Sequence, residues 1–287
     1  MTAWTNLNRV LVIGMTAIVC ASPVRACIWS YGTDLRGKKV QVEGVVGADL
    51  VVQLMNHEAR SYWLRENRTY AARAAGVKDH EIRNDYAVTL LHIGKAGEAI
   101  QILRRLETEA PGTYVTAVNL GTAYELNGDD VQGLRWIREG IRRNREAHNG
   151  SEWLHVRILE AKIALASDPQ WLQGNSVLGL DFGRGVVPRM PSSWPKDNSG
   201  KPATPQNVID ALYYQLNERL EFVKPPNALI GDLFMDWGNL MMLTDVLESA
   251  EALYLQALAF GATSQPLIQQ RLTKVQRLLK VYRQQAK

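Results

Sequence analysis

Apolar and small residues in the middle of the chain recur at helical spacing, and the whole pattern returns after 34 residues. Between His80 and Thr113 the marked positions are Tyr86, Ala87, Leu90, Gly94, Ala99, Leu103, Leu106 and Pro111. Between Tyr114 and Ala147 the same offsets carry Leu120, Gly121, Tyr124, Gly128, Gly133, Ile137, Gly140 and Arg145. Size class is kept at every position except the last, where Arg145 stands in place of a proline. The spacing predicts two copies of a helix A, a turn at Gly94 or Gly128, and a helix B, with small residues that let helices approach closely. A glycine inside a helix costs about 1 kcal/mol relative to alanine, so Gly133 is expected where two helices touch.

The flanks read differently. Residues 27–79 open with KKVQVEGVV, whose alternation predicts one short strand, and continue as a helical stretch with Leu54, Trp63, Tyr70 and Ala74 near one face. Residues 148–172 hold a single helix, capped by Ser151 and stopped by Asp168-Pro169, because the residue before a proline avoids the helical region. Residues 173–204 form a long irregular loop; Leu178, Leu180, Phe182, Val186, Val187 and Trp194 predict that it packs on the body rather than floats. A helix starts at Thr204-Pro205 and runs to Pro225-Pro226. From residue 205 to 287 the chain carries C-terminal helices, among them a degenerate copy of the pattern over 231–264 (Trp237, Gly238, Met241, Ala250, Tyr254, Ala257). The last helix begins at Ser264 and bears the stripe Leu267, Leu272, Val275, Leu278 and Leu279, with Gln, Arg and Lys on its outer face, as a terminal cap requires.

The repeat over residues 80–147 resembles the tetratricopeptide repeat. The resemblance implies an all-α fold: a helical-hairpin solenoid with a short N-terminal strand segment and a C-terminal capping helix. It also implies a concave groove lined by the A helices, in which a peptide or partner protein binds. The residues projected there are Asn84, Val88, Leu91, Val115, Asn119, Thr122 and Glu125, joined by Glu152 and His155 from the next helix. Members of the family that grip a C-terminal carboxylate use a lysine and two asparagines; here Asn119 fits one position, while Asn84 and Val88 depart at the others. Cys27-Ile28-Trp29, NLGTAYELNG and GSEWLHVRILEAK further resemble a group of exported bacterial tetratricopeptide proteins.

Export is also expected from the first 26 residues, which read as a signal peptide: Arg9, the apolar run VLVIGMTAIVC, and Val24-Arg25-Ala26 at the cleavage site. The apolar run is too short to span a bilayer, and the mature chain is expected to have no transmembrane segment and to be periplasmic or associated with the cell envelope. Cleavage would leave Cys27 at the N-terminus, a candidate for lipidation and so for a lipid-anchored structural role in the envelope. With Cys20 removed, no internal disulfide can form. The formal net charge of +4 loses Arg9 and Arg25 with the signal and falls to +2. That near balance supplies no basic field for nucleic acid.

Candidate chemistry is sparse. His148, Glu152 and His155 can share a helix face, and Glu-x-x-His is half of a carboxylate di-metal set, which makes these three weak metal candidates and a metal-dependent hydrolase the alternative reading. The DFG string at Asp181–Gly183 lacks the loops that accompany it in kinases and is expected to be a turn. The sequence contains no Gly-x-Ser-x-Gly elbow, and no cofactor is expected. The reading that follows is a non-catalytic scaffold.

Overall fold

A computed structural model describes residues 29–244 and 246–285. The signal segment and Cys27 lie outside the described residues. The chain opens with an antiparallel hairpin of β1 (Trp29–Thr33) and β2 (Lys39–Glu43), in which Tyr31 faces Gln41 and Thr33 faces Lys39. One strand is expected from KKVQVEGVV; its partner WSYGT is the addition, and Asp34 turns the chain by accepting the N–H groups of Arg36 and Lys38. Eleven α-helices follow among the described residues, and the fold is mostly helical.

The helical stretch expected as one piece is two helices, α1 (Ala48–Met55) and α2 (Arg60–Ala74). The break has a packing cause. Leu54 is wholly buried in the core of the C-terminal half, whereas Trp63 packs on a second core around α3, so no straight helix can serve both.

The repeat region forms α3 (His80–His92), α4 (Ala96–Glu109), α5 (Tyr114–Leu126) and α6 (Asp130–Arg143), each packed on the next, with α2 before them and α7 (Glu152–Ser167) after. Asp79 and Asp129 cap α3 and α6 by accepting the N–H of Ile82 and Gln132. Gly94 and Gly128 take φ of 82° and 83°, the left-handed turn that glycine adopts without strain. The small residues sit where helices touch. A Cβ on Gly121 would lie 2.6 Å from Ile137 Cδ1, and one on Gly133 would lie 3.2 Å from the Gly121 carbonyl oxygen. Past α6, at Arg145, the chain leaves through a short 3₁₀ turn, Ala147–Gly150, with His148 and Asn149 in the left-handed region. Ser151 precedes α7 but does not cap it; its hydroxyl accepts instead from Gln215 Nε2 at 3.1 Å.

The loop over 173–204 packs as expected through Val177, Leu178, Leu180 and Phe182, which are buried, but Val186 and Val187 are exposed. Its anchor is Arg271. This side chain, expected on the polar outer face of the last helix, is instead wholly buried, donating to the carbonyls of Gly183 at 2.7 Å and Gly185 at 3.1 Å and to Asn239 Oδ1 at 2.6 Å. Asp181–Gly183 is a turn, with Asp181 accepting the Gly183 N–H.

Thr204 and Asn207 form a reciprocal capping box at the start of α8 (Pro205–Phe222). Then come α9 (Ala228–Thr244), α10 (Leu247–Ala259) and α11 (Gln265–Gln285). Gly231 and Gly238 let α9 lie against Ala262 and Tyr254, so the degenerate copy also keeps its small residues at contacts. Among the described residues no helix is long and apolar enough to cross a membrane.

Ala99 is completely buried within the core of α3, α4 and α5. Ala99→Leu is therefore expected to overpack that contact and destabilise the protein by about 1–3 kcal/mol, read as a lower Tm; an unchanged Tm would contradict this packing.

Candidate functional site

α8 runs past the C-terminal ends of α3 and α5 and packs on α1 and α7. Along its length Tyr214 stacks on His148 with centroids 5.2 Å apart, Gln215 reaches Ser151, and Asn217 bonds the Leu54 carbonyl. Further on, Arg219 Nη1 meets Glu125 Oε1 at 2.6 Å, and Glu221 Oε1 meets His92 Nδ1 at 2.5 Å. The His92 ring is itself stacked on Trp63, with centroids 3.5 Å apart and planes 5° from parallel. One helix thus touches α1, α3, α5 and the start of α7. The loop at 173–204 does not take this place; its anchors lie in α7, α9 and α11.

Of the residues expected to line an open groove, five are buried: Asn84, Leu91, Glu125, Glu152 and His155. Leu91 belongs to the core around α3–α5, and Asn84 accepts from Asn119 Nδ2 at 3.3 Å. Glu125, Glu152 and His155 are covered because α8 sits over them. Val88, Val115, Asn119 and Thr122 are half-buried and remain on the α3–α5 part of the surface.

Under α8 the charged side chains form one connected set. Glu125, on α5, accepts from His155 Nε2 at 2.7 Å, Lys162 Nζ at 3.1 Å and Arg219 Nη1. Lys162 also reaches Asp130 at 2.5 Å. Glu152 bonds His148 Nδ1, and its other oxygen is 3.3 Å from His155 Nδ1, a longer contact without a well-aligned donor. Both ring nitrogens of His155 therefore face carboxylates, Nε2 in a hydrogen bond and Nδ1 in the longer contact, an arrangement that favours the protonated ring. At the two glutamates and the two histidines burial works against charge and is outweighed by pairing. It raises Glu125, but Arg219, His155 and Lys162 hold that carboxyl well below its usual range. It raises Glu152 as well, but the hydrogen bond from His148 and the close approach of His155 bring that group down to about 2. Desolvation, with Arg219 added at His155, lowers the two histidines; the facing glutamates prevail, and both are raised above 6.5.

A residual cavity of about 90 Å³ remains between Thr122, Leu126, Gln215 and Phe222 beside this set. The three weak metal candidates His148, Glu152 and His155 come together, but as hydrogen-bond partners with the carboxylate between two imidazoles. Among the described residues no group of three or more His, Cys, Asp or Glu side chains converges as a metal-ligand set. The arrangement is suited to gripping a helix through charge. No family model matches the chain, and no curated protein matches it.

Arg219 is the residue that sequence reasoning missed. Its signal is its phase: with Val208, Leu212 and Gln215, which are buried, it falls on the inner face of α8, an unusual position for a cation.

The pairing sets a pH dependence. Depressed carboxylates contribute stability that is complete above about 4.5 and lost as pH falls through their folded values; raised histidines contribute stability that is complete below about 6.5 and lost as pH rises through theirs. The network is therefore strongest between these limits. The Tm is expected to fall from pH 6 to pH 9, and His155→Gln is expected to lower the pH 6 value and flatten that fall; parallel profiles for the two proteins would contradict the assignment.

Proposed function

We propose that the protein is an exported tetratricopeptide-type scaffold of the bacterial cell envelope, non-catalytic, whose inner helical surface binds a peptide or partner protein. The observation that carries this reading is the seating of α8. The surface already holds one amphipathic helix, through the Arg219–Glu125 ion pair, a hydrogen bond between His92 and Glu221, an amide and two ring contacts along its length. A surface that grips a helix of its own chain has the chemistry to grip a segment of another. The 34-residue register supports the family reading, since its small positions are helix contacts in both copies. In this account α8 is a built-in occupant of the groove over α5 and α7. The partner then takes the adjoining surface of α3 and α5, where Val88, Val115, Asn119 and Thr122 keep part of their area exposed.

Photo-crosslinking residues placed at Val88 and Thr122, one protein at a time, test this in living cells that make it. Both positions are expected to capture the same partner, which a crosslinker at Gln101, exposed on α4, does not. Capture of nothing from the groove positions, or of the same mixture from all three, overturns the proposal.

A further inference from the structure

The two outer edges of the β-hairpin are treated differently. On β1 the Thr33 N–H points outward and donates to Glu248 Oε2 at 2.9 Å, and the Thr33 hydroxyl donates to Glu248 Oε1 at 2.7 Å, so α10 covers that edge. The outward donor also sets the phase of the ladder. Thr33 and Lys39 form a non-hydrogen-bonded pair, and by alternation so do Tyr31 with Gln41 and Trp29 with Glu43. Gln41 and Glu43 therefore turn their N–H and C=O groups away from β1. Among the described residues no backbone group outside the hairpin pairs with them.

A cleft of about 590 Å³ runs along this open edge. Its lining includes every residue from Val40 to Val45, and Val246, which packs against Gly32 of β1, also borders it. The opposite wall carries Ile209 and Tyr213 from α8 and Trp237 and Met241 from α9, with the polar Gln206 and Thr244 at its margin. Trp237 is 1 % exposed and its indole N–H has no partner. Glu43 and Asp210 are the charged groups among the described lining residues, and both are acidic.

We propose that this cleft is a strand-addition site, in which an extended segment of a partner protein, with apolar residues alternating with basic ones, pairs with β2 as a third strand. Outward main-chain donors and acceptors spaced two residues apart are complementary to an extended backbone and to little else. Every second side chain of the incoming strand then faces the wall of Ile209, Tyr213 and Met241. Basic residues in the segment meet Glu43 and Asp210. The site is separate from the inner surface of the repeats, and neither reading depends on the other.

The probe is an acetylated, amidated hexapeptide of alternating valine and lysine, added to the purified protein and followed by amide NMR. Saturable shifts are expected at the Gln41 and Glu43 amides. Gln41→Pro removes one outward donor without touching a bond to β1, since edge strands admit proline where the N–H faces out. It is expected to weaken binding about tenfold, with Gln41→Thr within about twofold of the parent. The same peptide N-methylated on the amides that face β2 is expected not to bind, which keeps the test decisive should the proline variant unfold. Three results would each overturn the proposal: no saturable shift at these amides, equal binding of the methylated peptide, or protection of both amides from hydrogen exchange in the protein alone. The last would mean that the edge is already paired in the protein alone.

Discussion

A carboxylate buried on α5 governs how the two halves of this protein meet. Glu125 retains only 8 % of its surface, and an ionised group so placed costs several kcal/mol unless donors surround it. The donors come from elsewhere in the chain: His155 and Lys162 from α7, and Arg219 from α8, 94 residues away in sequence. Meeting that requirement holds α8 against α5 and α7. Because Glu152 and His148 extend the same set, the left-handed backbone at His148 lies inside the network; the surrounding bonds hold a conformation that non-glycine residues rarely adopt.

Around that polar centre the apolar packing divides in two. One core is built by α3, α4 and α5, and the other by α7 to α11 with α1 and the long loop. Between them Val118, Ile137 and Leu159 make a small cluster of their own. The seam is therefore thin in apolar contact and rich in charge. Such a seam specifies geometry more than it adds stability, because a buried ion pair gives back in Coulomb energy roughly what desolvation takes. The long loop follows the same logic in neutral form: Arg271 satisfies two of its carbonyls and Asn239, and fixes it without a carboxylate partner.

How much could be read from the sequence follows from the range of each interaction. The helices of the repeat region were legible because their signals are local: turn glycines and small and apolar residues at helical spacing. The Thr204 start of α8 was legible for the same reason. Four features were not. The strand WSYGT has no strong alternation and is recognised only beside its partner. The split between α1 and α2 is imposed by two separate cores and has no proline or glycine to mark it. Arg271 sits among outer-face arginines and lysines that look the same in sequence. The covering of Glu125, Glu152 and His155 depends on Arg219 and its neighbours on α8, and helical periodicity carries no information about which distant helix fills a groove.

The claim that Glu125 and Arg219 jointly seat α8 is tested most directly by a double-mutant cycle in urea unfolding with Glu125→Gln, Arg219→Met and the pair. The account predicts that each single change destabilises the protein, Glu125→Gln by about 3 kcal/mol or more because it strands Arg219, and that the double variant recovers about 2 kcal/mol relative to their sum. Additive losses, with a coupling near zero, would contradict it.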